Sequence, residues 1–120
     1  MKSILVIEDS RALREMLRDV LESKGYSVRE APHGQAGIDL YLAEPADLVI
    51  TDIAMPGKDG LETIRDLKKE DPDVRIVAIS GGDTGVPDRL QVAIGLGAIC
   101  TIRKPFTPGD LLDVVRRLLA

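Results

Sequence analysis

The sequence has very few aromatic residues and a single cysteine. Its 120 residues include two tyrosines, one phenylalanine and no tryptophan, so a hydrophobic core has to be built from aliphatic side chains. The lone Cys100 excludes a disulfide bond within the chain and is typical of a reducing compartment. We therefore predict an aliphatic core and a cytoplasmic location, and we interpret Cys100 as a core residue rather than a redox site.

Long apolar runs and an excess of positive charge are also missing. No stretch approaches the roughly 20 apolar residues that span a bilayer, and Met1 to Ser3 lead into a strand pattern rather than a signal peptide. The formal net charge is −4, whereas binding to nucleic acid needs a strongly basic face. We expect one globular domain over residues 1–120, with no membrane segment and no direct binding of nucleic acid.

What the sequence does contain is a regular alternation of short apolar runs and helical patterns. Five predicted strands each precede a helical segment, and they cover residues 4–7, 26–31, 48–51, 75–80 and 99–102. Near-continuous apolar strands joined by helices predict a parallel sheet with helices on both faces. Right-handed crossovers favour the doubly wound, flavodoxin-like (βα)5 arrangement, with strand order 2-1-3-4-5. The second strand is more polar than the others, which places it near an edge.

Residues between these segments predict helix ends and turns. Ser10 and Thr107 are suited to cap the first and last helices, because their hydroxyl groups can accept a free backbone N–H. His33, the only histidine, is interpreted as a solvated turn residue. A glycine-rich loop is predicted over residues 81–87.

The segment from Leu48 to Gly57 places a carboxylate directly after a buried strand. Asp52 follows the apolar run, and Met55-Pro56-Gly57 forces a turn, since proline fixes φ and glycine tolerates positive φ. Ligands and chemistry in open α/β sheets gather at the carboxyl ends of the strands. Asp52 can therefore be a functional carboxylate, or it can be a turn aspartate or a helix cap. This segment alone does not distinguish the functional role from the structural ones.

Carboxylates from two neighbouring strand ends are predicted to share one crevice. In the order 2-1-3-4-5 the first and third strands are adjacent, which brings Glu8 and Asp9 close to Asp52. Three carboxylates at a buried edge cannot all stay ionised without compensation. Lys104 offsets one charge, and a divalent cation would neutralise the rest; hard oxygen ligands favour Mg²⁺. The alternative is that Glu8 and Asp9 only stabilise the amino end of the first helix through its dipole.

Short motifs recur along the whole chain, mostly where predicted strands end. They are Glu8-Asp9, Asp52 with Met55-Pro56-Gly57, Asp59-Gly60, Ser80, Gly97-Ala98 and Lys104-Pro105-Phe106. Each motif is weak alone, but their common register at strand ends is specific. Together they resemble the receiver domain of bacterial two-component response regulators, especially the chemotaxis regulators.

The resemblance implies a phosphoacceptor domain of a two-component or phosphorelay system. Asp52 would take a phosphoryl group from a histidine kinase or a histidine phosphotransfer protein. The domain would not be an enzyme beyond catalysing its own phosphorylation and dephosphorylation. Lys104 and Ser80 would contact phosphoryl oxygens, and the peptide bond before Pro105 would be cis, as X–Pro bonds permit at low cost.

The resemblance also implies a metal site. Asp9, Asp52 and the backbone carbonyl of Ala54 would bind Mg²⁺, for which Mn²⁺ can substitute, and Glu8 would act mostly through water. A flavodoxin-like FMN binder fits less well, because an acidic loop after the first strand would repel a phosphate. A phosphatase of the haloacid dehalogenase type would need a second acid where this chain has Ala54.

One position departs from the family pattern. Ser80 and Thr101 would be the switch residues, but receivers usually carry an aromatic residue where this chain has Thr101. The output partner is expected at the face formed by the fourth helix, the fifth strand and the last helix. A receiver-like interaction module that is not phosphorylated is the remaining alternative. The sequence fits a stand-alone regulator and a receiver within a longer protein equally well.

Overall fold

The computed structural model of the chain describes residues 1–54, 59–81 and 89–120, which form an alternating α/β domain. The strands are β1 Ser3–Ile7, β2 Ser27–Ala31, β3 Leu48–Asp52, β4 Ile76–Gly81 and β5 Cys100–Lys104. The helices are α1 Arg11–Glu22, α2 Gly34–Ala43, α3 Gly60–Glu70, α4 Arg89–Leu96 and α5 Pro108–Leu119. The turn predicted at Met55-Pro56-Gly57 and most of the loop predicted at 81–87 lie outside these residues.

The strands form one parallel sheet in the order β2-β1-β3-β4-β5. This order confirms the predicted doubly wound, flavodoxin-like fold and places the polar β2 at an edge. β3 lies at the centre, and all of its residues are buried. The register pairs Ile7 with Thr51 and Asp52 with Ile79. The carboxyl ends of β1, β3 and β4 therefore lie side by side at one edge of the sheet.

Aliphatic side chains cover both faces of the sheet, as predicted. Alternate residues of β3 serve opposite faces: Val49 packs with residues of α2, α3 and α4, whereas Leu48 and Ile50 pack with residues of α1 and α5. Tyr41 is the one aromatic side chain that is buried among the described residues. Its hydroxyl group donates a hydrogen bond to Asp71 at 2.6 Å, which links α2 to the end of α3.

The helices begin at capping side chains. Ser10 and Thr107 cap α1 and α5 as predicted, and Thr107 forms a reciprocal capping box with Asp110. The prediction for His33 missed its role, because its extended backbone places Nδ1 where it accepts the N–H of Ala36 at 3.2 Å. His33 therefore caps α2 while remaining exposed. Each helix in the described part of the chain is too short or too polar to span a membrane.

β5 is displaced along the chain from its predicted position at 99–102. It runs from Cys100 to Lys104 because the ladder with β4 continues to the pair of Gly81 with Lys104. Ile99 precedes the strand and is 43% exposed. Cys100 is half-buried and packs against the apolar layer beneath α1 and α5, in agreement with its interpretation as a core residue.

Candidate functional site

Asp52 ends the central strand as an almost fully buried carboxylate. It is 4% exposed, and its Oδ2 accepts a hydrogen bond from Lys104 Nζ at 2.9 Å. Its Oδ1 accepts the backbone N–H of Ala54 at 3.1 Å. The end of β5 and the segment after β3 therefore hold the carboxylate in place at the edge where the strands end.

Lys104 connects the ends of three strands. Besides its contact with Asp52, its Nζ lies 3.4 Å from Glu8 Oε1. Burial lowers the pKa of Lys104, but the hydrogen bond to Asp52 and the negative charges of Asp52 and Glu8 outweigh it and raise the pKa overall. The ammonium group is thus kept charged beside the carboxylates. The peptide bond between Lys104 and Pro105 is cis.

Glu8 is a buried acid whose carboxylate is only partly compensated by hydrogen bonds and neighbouring positive charge. It is 2% exposed, and its Oε2 has no hydrogen-bond partner among the described residues. Burial, followed by the neighbouring carboxylates of Asp52 and Asp9, raises the pKa of Glu8 to about 8, whereas the charge of Lys104 lowers it. A buried carboxylate oxygen without a donor is costly unless a proton or a cation reaches it.

Asp9 completes an acidic cluster with Glu8 and Asp52. One carboxylate oxygen from each residue lies within 4.8 Å of the other two, so the predicted convergence is confirmed. Of the three acids expected at a buried edge, Glu8 and Asp52 are buried, whereas Asp9 is exposed because it lies two residues after the end of β1, in the turn towards α1. Three converging oxygen donors, one of them open to solvent, fit a hard divalent cation.

The two predicted switch residues occupy different depths of the sheet. Ser80 follows the residue that pairs with Asp52 across the β3–β4 ladder, and it is buried. Among the described residues, its hydroxyl group makes one hydrogen bond, a long one of 3.5 Å to the carbonyl of Gly81. Thr101 lies near the beginning of β5 and lines a groove of about 330 Å³ with Phe106 and residues of α5. The sheet therefore brings Ser80, but not Thr101, to the edge that carries the acids.

The beginning of α3 lies directly against the end of β3. Asp59 caps α3 by accepting the N–H of Glu62 at 2.9 Å, and the N–H of Gly60 donates to the carbonyl of Ile53 at 2.9 Å. A Cβ atom at Gly60 would lie only 2.0 Å from the carbonyl oxygen of Asp52. This close approach requires glycine, which gives a physical reason for the Asp59-Gly60 pair.

Sequence reasoning did not predict the part played by Arg14. Its Nη1 donates to the backbone carbonyl of Glu8 at 2.9 Å, and its Nε lies 3.5 Å from Glu30 Oε1. Arg14 is one of several arginines with helical spacing in α1, and nothing in that spacing distinguishes it from its neighbours. The contact emerges only when α1 is placed beside the loop after β1.

Comparisons with known proteins identify the family. A family model described as the response regulator receiver domain matches residues 4–116. Sporulation initiation phosphotransferase F of Bacillus subtilis is 30% identical, over 98% of this chain and 94% of that protein. Response regulator MprA of Mycolicibacterium vanbaalenii is 39% identical over 97% of the chain, which spans about half (49%) of that relative.

A solved structure has the same fold over its full length. Chemotaxis protein CheY4 of Vibrio cholerae superposes with a TM-score of 0.90 at 27% identity, with 99% of both chains covered. Fold, acidic cluster and sequence similarity agree along the whole chain. The chain belongs to the receiver-domain family of two-component response regulators.

Proposed function

We propose that this receiver domain accepts a phosphoryl group on Asp52 in a reaction that depends on Mg²⁺. The main support is the almost fully buried Asp52 carboxylate at the end of the central strand. This carboxylate accepts a hydrogen bond from Lys104 and lies close to Glu8 and Asp9. The donor would be a histidine kinase or a histidine phosphotransfer protein in the cytoplasm. Membership of the receiver-domain family supports this choice of donor.

The residues present fit a magnesium site. Asp9, Asp52 and the backbone carbonyl of Ala54 would hold the ion, with Glu8 acting mostly through water. The Oε2 of Glu8, which has no hydrogen-bond partner in the described part of the chain, supports this proposal. When bound, the ion would supply positive charge that neutralises phosphoryl oxygens. Mn²⁺ accepts the same kinds of ligand and can substitute.

The side chains of this chain would position and stabilise the transferred group. A carboxylate oxygen of Asp52 would form the new P–O bond while the donor's P–N bond breaks, and the donor imidazole would leave with its bonding electron pair. The product is an aspartyl phosphate. Phosphoryl transfer depends mainly on alignment and charge stabilisation. Lys104 would exchange its contact with the carboxylate for a phosphoryl oxygen, and the Ser80 hydroxyl would donate to another.

The face formed by α4, β5 and α5 would be the surface that binds the output partner. Thr101 lies on this face, beside the groove between β5 and α5. Ser80 and Thr101 are proposed as the switch residues, with Ser80 responding to the phosphoryl group. An output protein that recognises this face is the proposed second partner.

Labelling by a small phosphodonor tests the acceptor. Incubation with acetyl phosphate and Mg²⁺ should add the mass of one phosphoryl group to the parent chain and to Asp39→Asn, an exposed control on α2. Asp52→Asn should remain unlabelled, because an amide oxygen is a much weaker nucleophile than a carboxylate. Equal labelling of Asp52→Asn, measured as intact mass, would show that the acceptor lies elsewhere.

A further inference from the structure

Arg14 is bonded to the loop that carries two of the acids in the cluster. We infer that Arg14 is a positioning residue that strengthens divalent-cation binding without touching the cation. The inference rests on the proposed metal site of Glu8, Asp9 and Asp52. Arg14 of α1, and Glu30 of β2 through its contact with Arg14, would thus help to position the ligands of that site.

Hydrogen bonds hold the backbone of Glu8 on both sides. Its carbonyl accepts from Arg14 Nη1 at 2.9 Å, and its N–H donates to the carbonyl of Ala31 at 3.0 Å. Arg14 itself belongs to a fixed turn, since its N–H donates to the carbonyl of Ser10 at 2.9 Å. The peptide plane between Glu8 and Asp9 is therefore anchored to α1, and the preceding plane, between Ile7 and Glu8, is anchored to β2.

Glu30 of β2 holds the guanidinium of Arg14 in this position. The Nε of Arg14 lies 3.5 Å from Glu30 Oε1, and only 17% and 22% of the two side chains are exposed. Glu30 is fixed in turn by Arg18, whose Nη1 lies 2.6 Å from Oε2. The planar guanidinium can face a carboxylate with one N–H and a carbonyl with another. Lysine, with its compact ammonium group, cannot reproduce that arrangement.

The charge of Arg14 and its positioning role act on cation binding in opposite directions. A positive charge near the acids repels a cation, so a purely electrostatic effect predicts tighter binding once Arg14 is removed. Loss of positioning predicts weaker binding, because Asp9 is exposed and its place depends on the backbone that Arg14 holds. Groups that orient metal ligands typically contribute about 10–100-fold to affinity. The sign of the change therefore separates the two effects.

Arg14→Ala is compared with Arg11→Ala. The side chain of Arg11 is 83% exposed and pairs with Glu15 on the same helix, so both variants remove one charge from α1. Mn²⁺ is titrated, and the free ion is counted by electron paramagnetic resonance. We expect Arg14→Ala to weaken Mn²⁺ binding about tenfold. Arg14→Lys should lose less Mn²⁺ affinity than Arg14→Ala. Arg11→Ala should bind Mn²⁺ as well as the parent or slightly better. Melting in EDTA shows separately how each change affects stability.

Unchanged or tighter Mn²⁺ binding by folded Arg14→Ala would overturn the inference. If that variant does not fold, Glu30→Gln decides, with Glu22→Gln as its control, because Glu22 contacts Arg18 on the exposed side of α1. Glu30→Gln should bind Mn²⁺ more weakly than Glu22→Gln, and equal affinities would overturn the inference. A parent chain that does not bind Mn²⁺ or Mg²⁺ would instead overturn the proposed metal site itself.

Discussion

A methyl group added at Gly60 would push apart the beginning of α3 and the end of β3. The Cβ atom of Gly60→Ala would meet the carbonyl oxygen of Asp52 at 2.0 Å and the Cα atom of Ile53 at 2.5 Å. Both are backbone atoms of the segment that carries the proposed phosphoacceptor. The clash therefore cannot be relieved by rotating a side chain.

The size of the effect follows from the displacement required. Moving the Asp52 oxygen from 2.0 Å to the 3.4 Å at which ordinary contact begins requires about 1.4 Å. Overpacking of a well-packed interior typically costs about 1–3 kcal/mol, and a backbone clash belongs at the upper end. A loss of about 3 kcal/mol lowers the melting temperature of a domain this size by about 10 °C. The displaced Asp52 should also be labelled more slowly, because phosphoryl transfer depends on alignment.

Thermal melting and acetyl phosphate labelling measure the two consequences separately. Gly95→Ala is the matched control, since in the described part of the chain a Cβ at this helical glycine has no atom within 4 Å apart from its chain neighbours and the backbone of its own helix. That change should raise stability by up to about 1 kcal/mol through helix propensity. If Gly60→Ala melts with the parent and is labelled at the same rate, the close contact between α3 and β3 does not constrain the site.

Further predictions concern the pH dependence of stability, one helix cap and the switch. In EDTA, burial raises the pKa of Glu8 from its ordinary 4.5 to about 8, so the folded protein keeps a proton that the unfolded chain releases. The stability that this proton supplies is complete below about pH 4.5 and is lost as the pH rises to 8. Glu8→Gln carries an uncharged amide at every pH. The melting temperature of this variant minus that of the parent should therefore increase from pH 5 to pH 8, and a constant difference would contradict this. Thr107→Ala removes the acceptor for the N–H of Asp110 and should cost about 1 kcal/mol in urea unfolding. Because Thr101 is small and stiff at χ1, beryllofluoride should change hydrogen exchange mainly in residues 81–96, which are described only in part, and a change confined to β5 would contradict that.

The fold and the centre of the site were predictable because they depend on patterns that are local in sequence. Apolar runs such as Ile4 to Ile7 identify buried strands, and the strand order follows from general rules of handedness. The convergence of the acids and Lys104 then follows, because parallel strands end at the same edge of the sheet. Proximity at this level needs no knowledge of side-chain conformations.

The supporting contacts could not be predicted, because they depend on how separate elements meet. Arg14 reaches the carbonyl of Glu8 only because α1 lies beside the loop after β1. His33 caps α2 through its ring nitrogen, a less usual cap than serine, threonine or aspartate. The exposure of Asp9 depends on the direction in which the chain leaves the sheet. Each of these is set by tertiary geometry rather than by residue spacing.

The position of β1 has a consequence for folding during synthesis. β1 is the first strand in the sequence but lies between β2 and β3 in the sheet. While the ribosome is still adding residues before Leu48, one edge of β1 has no partner strand, although Ile4 and Val6 are fully buried in the finished domain. Their layer is completed only by Leu111 and Val115 of α5. Unpaired apolar edges favour association between chains, so the nascent domain is exposed to aggregation until almost all of it has emerged.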